Sequence, residues 1–360
     1  MTNFRRVQKR LMVQYSTQSY CLCSEDHFVY KYLYATDKRD VLFRLPGQLG
    51  TLSGKVKDAI LRNGLLRFFR RNIGISNVIE LPTGTVLALY DRVYRYPHTY
   101  TDGIAEATVS FRRFNFSAPL KNGVGINSEN NCAYFGEYQN SRPYAAKIMR
   151  LFDDGRKGEI CYTFPEGKIK HIHSITWDPY RKKLWIATGD HDSEVGLYYT
   201  DDDFNTVVYF NGGSQAWRMV SVLPTEDALY WGSDAGKDAG EHDANFIFRW
   251  DFKTNKLEKI CAIGNPAYYA SFLDDGGMLI GTTYEPGMKQ PTESVAELWH
   301  SSTGDEWRKI WSVPYKNVGR RHGTQYATLN IPKGVIPHDK VLITPLNTQV
   351  GDFDLITTAC

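Results

Sequence analysis

The sequence contains no apolar run long enough to span a membrane, no cysteine framework and no surplus of charge of either sign. Arg5, Arg6, Lys9 and Arg10 lie within the first 18 residues, but the apolar stretch of a signal peptide does not follow them. A cytoplasmic location is the expectation. Six cysteines stand at positions 21, 23, 132, 161, 261 and 360, and no second pair complements Cys21-x-Cys23 to complete a zinc site. Scattered reduced thiols are therefore expected. With 43 basic against 40 acidic residues, the formal net charge of +3 is too small to favour nucleic acid. No nucleic-acid partner is expected, and the chain reads as a monomer.

What is present is a repeat. Tyr134-Phe-Gly-Glu-Tyr138, Trp185-Ile-Ala-Thr-Gly-Asp190, Tyr230-Trp-Gly-Ser-Asp234 and Leu279-Ile-Gly-Thr-Thr283 each place an apolar pair before a small residue and then a polar one. The small residues Gly136, Ala187, Gly232 and Gly281 recur every 45 to 51 positions, the period of a four-stranded propeller blade. The chain thus reads as one all-β domain over residues 1–360, a seven-bladed β-propeller with six blades as the alternative. Complete units are expected at 123–164, 171–210, 217–263 and 268–313, weaker ones at 20–45 and 77–116, and a last one at 325–357 with only three strands. A strand from the N-terminus, Leu11 to Ser16, is expected to complete the last unit, so that N- and C-terminal strands close the ring.

Residues 52–71 break the pattern. Leu52, Val56, Ile60, Leu61, Leu65, Phe68 and Phe69 alternate there with Lys55, Lys57, Arg62, Arg67, Arg70 and Arg71, which predicts an inserted basic amphipathic helix. Such a helix either packs on the side of the propeller or docks on a protein or on the inner face of a membrane.

Three turns carry a resemblance. Thr200-Asp-Asp-Asp-Phe-Asn-Thr-Val207 keeps the Ser/Thr, Asp and final apolar positions of the Asp-box turn Ser-x-Asp-x-Gly-x-x-Trp. His300-Ser-Ser-Thr-Gly-Asp-Glu-Trp307 keeps its Gly and Trp, and Leu151-Phe-Asp-Asp-Gly155 its Asp and Gly. The chain resembles sialidase-like, Asp-box (BNR) repeat propellers, including uncharacterised members found among bacterial surface-polysaccharide genes. That resemblance implies a carbohydrate context. Phe43-Arg-Leu-Pro46 also resembles the Phe-Arg-Ile-Pro motif of sialidases, but Tyr162-Thr-Phe-Pro165 and Trp311-Ser-Val-Pro314 end their units with the same proline, so Pro46 marks a blade end.

In a propeller the start of each innermost strand and the end of the second strand share one rim. Strand starts there supply His171, His173, Gln215, Trp217, Arg218, Tyr268, Tyr269, His322 and Gln325; strand ends supply Glu137, Tyr138, Asp190, His191, Asp234, Glu285 and Asn347. Arg218 could pair with a sugar carboxylate through two parallel hydrogen bonds, or with Asp190 or Asp234 between blades. Gln215, Trp217, Tyr269 and His322 complete the candidate substrate-binding set. His171 and His173 face one side of a strand and could bind a divalent metal with His191, serve as general acid and base, or simply bridge a blade junction. Glu137, Asp190, Asp234 and Glu285 supply the carboxylates that glycoside hydrolysis needs. The function these residues point to is binding or modification of an acidic glycan or sugar intermediate. The alternatives are a non-enzymatic scaffold at a membrane surface and a metal-assisted polysaccharide lyase.

Overall fold

The computed structural model describes residues 4–46, 56, 74–140, 144–319 and 322–358. Of the expected helix at 52–71, Val56 is helical and the remainder lies outside the described residues. Apart from Val56 and two short 3-10 turns, Phe111–Phe114 and Gln215–Trp217, the regular structure of the described residues is strand. No helix among them is long and apolar enough to cross a membrane.

The strands are grouped mostly in fours. Four separate antiparallel meanders run from Asn77–Glu80 to Glu106–Ser110, from Val124–Asn127 to Lys157–Thr163, from Ile172–Asp178 to Val208–Gly212, and from Leu223–Pro224 to Lys256–Gly264. The remaining strands join into one 13-stranded sheet. Within it Met12–Ser16 to Lys38–Arg44 and Ala267–Leu273 to Arg308–Pro314 repeat the same meander. This all-β assembly of four-stranded sheets is consistent with a β-propeller.

Two boundaries differ from the sequence expectation. The strand that pairs with the C-terminal Leu355–Thr358 is Arg5–Gln8, with Arg5 opposite Thr357. Met12–Ser16 instead opens the first meander, Met12 opposite Ser24. Burial explains the exchange: Met12–Ser16 is covered at almost every position, as an innermost strand must be, whereas Arg5–Gln8 is open to solvent, as suits an outer edge. The expected strand Trp217–Leu223 shrinks to Leu223–Pro224, because Trp217 lies in a 3-10 turn with its ring stacked 5.1 Å from that of Trp231.

The repeated small residues mark where one sheet meets the next. A Cβ on Gly136 would lie 2.3 Å from Ile172 Cβ, and one on Gly232 would lie 2.3 Å from Ala267 Cβ, each neighbour being in the first strand of the following meander. Hydrogen removes the clash, and the sheets approach face to face. Between them the aromatic rings of Trp185, Trp217, Trp231 and Phe248 form part of a buried cluster. Polar turns brace the outside. In the turn after Gly196–Thr200, the Thr200 hydroxyl donates to Asp202, and Asp202 accepts from the Thr206 N–H at 2.9 Å. This is a self-contained turn of the kind its sequence suggests.

Arg95 is buried and clamps two meanders together, donating to the Asp154 carboxylate and, at 2.7 Å, to the Asp154 carbonyl. Burial pushes the Asp154 carboxyl up, but Thr83, Arg95 and Thr85 hold it below the usual carboxylate range. The pair therefore stabilises the fold above the pKa of an unfolded Asp, and that contribution is lost as pH falls through the depressed value. Asp154→Ala is expected to cost about 3 kcal/mol by leaving buried Arg95 with only the half-exposed Glu106, 3.4 Å away, as a carboxylate partner, measured by urea denaturation at pH 7, with the gap to wild type narrowing on acidification. Gly136→Ala is expected to cost roughly 1–3 kcal/mol, because neither Ile172 nor the facing backbone can yield freely, and a drop in the denaturation midpoint without a change in slope would show it.

Candidate functional site

The fourth meander brings three of the expected residues together. Ile172 pairs with Thr188, and a register shift between Ile172 and Ser174 leaves His173 as an extra residue, a bulge at the rim. His171 and His173 therefore converge with Asp190, which follows the second strand. The two Nε2 atoms are 3.0 Å apart, and each lies 3.3 Å from Asp190 Oδ1. All three side chains are buried.

The outer ring nitrogens decide the chemistry. His171 Nδ1 is 3.1 Å from the Gln139 carbonyl and His173 Nδ1 is 2.9 Å from the Met219 carbonyl. A carbonyl only accepts, so both Nδ1 atoms carry their protons and donate. Burial, together with the neighbouring His173, keeps His171 below its ordinary pKa, against the pull of Asp190. With both rings neutral, the two Nε2 atoms would present lone pairs to each other and to a carboxylate oxygen. Such a set of three acceptors would make a cation cage. Donor atoms 3.0–3.3 Å apart also fit the edges of a coordination shell with bonds of about 2.1 Å. His171, His173 and Asp190 could hold a metal ion, and an imidazole and carboxylate donor set suits a divalent transition metal.

The surroundings lock this group in place. Lys170 pairs with Asp190 Oδ2. Of the two readings of Arg218, partner of a sugar acid or of Asp190 or Asp234, the structure has the second: Nη2 lies 3.2 Å from Asp190, Nε 3.3 Å from Asp234 and Nη1 2.9 Å from Asp238. Burial works against its charge, and Asp234, Asp190 and Asp238 more than offset that. Arg218 is thus a positioning residue for the acidic cluster. Asp234 is fully enclosed, and burial pushes its carboxyl up to about 7 despite Arg218. Its Oδ1 atom has no hydrogen-bond partner.

The other expected residues divide between this cluster and the scaffold. Gln215 donates to the Asp190 carbonyl at 3.0 Å and to Asp192 at 2.8 Å, and Glu285 accepts from the Tyr268 hydroxyl at 2.6 Å. Glu137 accepts the backbone N–H groups of Ser117 and Lys147 and serves as a loop cap. Trp217 and Tyr269 belong to buried apolar clusters. His322 pairs with Asp352 and stacks on Phe353, apart from the cage. His191, expected as a third metal ligand, is exposed, and Asp190 takes that place because it follows directly on the paired strand end. Arg44 ends an exposed outer strand. Sequence reasoning missed Lys170 and Asp238, whereas Tyr138, expected at a strand end on this rim, has its ring 4.2 Å from that of His171. Asp238 lies in the acidic loop 234–243, and the spacing of that loop does not show which way its side chains turn.

No family model and no curated protein matches this chain. Solved structures resemble it in fold. An oligogalacturonate lyase from Vibrio parahaemolyticus superposes with a TM-score of 0.63 at 9% identity, over 100% of this chain and 97% of that one. A further oligogalacturonate lyase, solved in complex with manganese, gives 0.60 at 10% identity over 99% and 92% of the two chains. A GH74 xyloglucanase from Xanthomonas campestris gives 0.60 at 11% identity over 96% of this chain, which spans about half (52%) of the enzyme's length.

Removing the central carboxylate would leave Lys170 and Arg218 without their shared partner. Asp190→Ala is expected to lower stability by about 3–5 kcal/mol in guanidinium unfolding, far more than loss of an exposed aspartate such as Asp192.

Proposed function

We propose that this protein is a seven-bladed, carbohydrate-modifying β-propeller that uses a divalent metal held by His171, His173 and Asp190 to act as a lyase on an acidic sugar. The observation that carries the reading is the pair of Nδ1 atoms committed to carbonyls, which leaves two imidazole lone pairs and a carboxylate oxygen facing one point. The likeness in fold to oligogalacturonate lyases along nearly the whole chain, one of them bound to manganese, supports it. The charge balance does too. With the Asp234 carboxyl at about 7, Asp190, Asp238 and Glu285 already match Lys170, Arg218 and Lys237, so no surplus positive charge is left to meet an anionic sugar unless a further cation is bound. A set of free arginines, as a sialidase-type reading would need, finds no support in Arg218.

A bound metal would supply a Lewis acid that neutralises the sugar carboxylate and acidifies the adjacent C–H. The chain's own groups would handle the protons. In the elimination a base takes the proton next to the carboxylate, a carbon–carbon double bond forms, and the C–O bond to the leaving sugar breaks, the departing oxygen gaining a proton. Asp234, with a free Oδ1 and a carboxyl at about 7, can hold such a proton near neutral pH. The Tyr268 hydroxyl, which donates to Glu285 at 2.6 Å, belongs to the same buried cluster.

Two measurements test this. Apo-protein titrated with Mn²⁺ is expected to melt at a higher temperature, by an amount equivalent to about 2.7 kcal/mol when the metal is at a hundredfold excess over its Kd, and His173→Ala is expected to abolish the shift. Incubation with oligogalacturonate is expected to yield an unsaturated, ultraviolet-absorbing product that a chelator suppresses. Metal binding without such a product, and with new reducing ends, would replace the lyase by a hydrolase; no metal shift at all would overturn the reading.

A further inference from the structure

The opposite mouth of the axis has a different character. Where the innermost strands end, a cavity of about 750 Å³ opens, lined by residues of the six four-strand meanders, among them Tyr15, Ile79, Ile126, Ile175, Leu223 and Phe272. Its wall is largely apolar. Part of it is the strand Lys333–Ile336, which leaves its own group and runs parallel to both Met12–Ser16 and Ala267–Leu273, with Tyr15 opposite Lys333 and Phe272 opposite Val335. This placement brings Lys333 to the cavity.

Lys333 is the uncommitted charge there. The carboxylates on the wall are engaged elsewhere: Glu80 accepts the Tyr20 hydroxyl at 2.7 Å, and Asp274 accepts the His338 N–H at 2.9 Å. No acceptor for the Lys333 ammonium is found among the described residues, and burial pulls its pKa down to about 8 with no carboxylate to counter it. A cavity of this size, with mostly apolar walls and a few polar groups such as the Lys333 ammonium and the unpartnered Thr176 hydroxyl, has the anatomy of a small-molecule site. An ammonium held against apolar surface gains most from an anion, and the walls favour a ligand with an apolar body.

We propose that this mouth is a second ligand site, separate from the His171, His173 and Asp190 cage, which takes a small organic anion with an apolar body. The charged end pairs with Lys333 and the body lies against Ile126, Ile175 and Phe272. Because the residues are distinct from the cage, the site stands or falls independently of the lyase reading.

The test uses the anionic fluorophore 8-anilinonaphthalene-1-sulfonate beside its uncharged analogue N-phenyl-1-naphthylamine, with the whole protein in the presence of a chelator. Saturable binding of one equivalent, displaced by decanoate, is expected for the wild type. Lys333→Met is expected to weaken the anionic probe at least tenfold and to leave the neutral one unchanged, while Lys333→Arg keeps both. Matching thermal melts of the three proteins exclude a folding defect. Anionic-probe affinity that Lys333→Met does not alter, equal loss of both probes, or no saturable binding by the wild type would each overturn the proposal.

Discussion

Everything at the axial site rests on how closely one sheet can lie against the next. The second strand of each meander faces the first strand of its successor, and at Gly136 and Gly232 the gap is too small for even a methyl group. Because Gly136 sits against Ile172, the contact that joins the third and fourth meanders also fixes the backbone between His171 and His173. Close packing resists continuous deformation, so the histidines inherit the rigidity of the sheet interface. A bulge at His173 then spends one residue of regular pairing to aim the second ring.

That rigidity matters because the cluster it supports is electrostatically costly. Buried acids, a buried arginine and two buried imidazoles would not assemble from side-chain preference alone; each is kept by a partner that would be more costly to abandon than to retain. Arg218 offsets Asp190, Asp234 and Asp238, while the carbonyls of Gln139 and Met219 hold the imidazole protons on the outer nitrogens. The result is a buried group of two imidazoles and a carboxylate that could hold a cation. The two ends of the axis thus contrast in their chemistry, an acidic cage at one and an apolar cavity with a single ammonium at the other.

The repeat was legible because its cause is local and periodic. A small residue is required wherever two sheets approach, so Gly136, Ala187, Gly232 and Gly281 record the architecture directly in the sequence. The rim was legible by the same logic, since antiparallel pairing sends strand starts and second-strand ends to one side, and His171, His173 and Asp190 follow from it. Misreadings arose where one element had two plausible places. Arg5–Gln8 and Met12–Ser16 are both short strands near the N-terminus, and only the burial of the second shows which lies innermost.

The sequence by itself determined an all-β chain of recurring four-strand units and the rim on which its polar residues gather, because hydrophobic alternation and turn chemistry act over a few residues. Tertiary structure alone decided which of those polar residues meet. His191 and Asp190 are neighbours in sequence, yet one is exposed and the other bridges two histidines, a lysine and an arginine. The tautomers of the histidines depend on carbonyls 32 and 46 residues away, and the commitment of Arg218 to three carboxylates depends on the path of a loop. Such contacts are set by how sheets stack around an axis, a long-range condition that the spacing of residues along the chain does not carry.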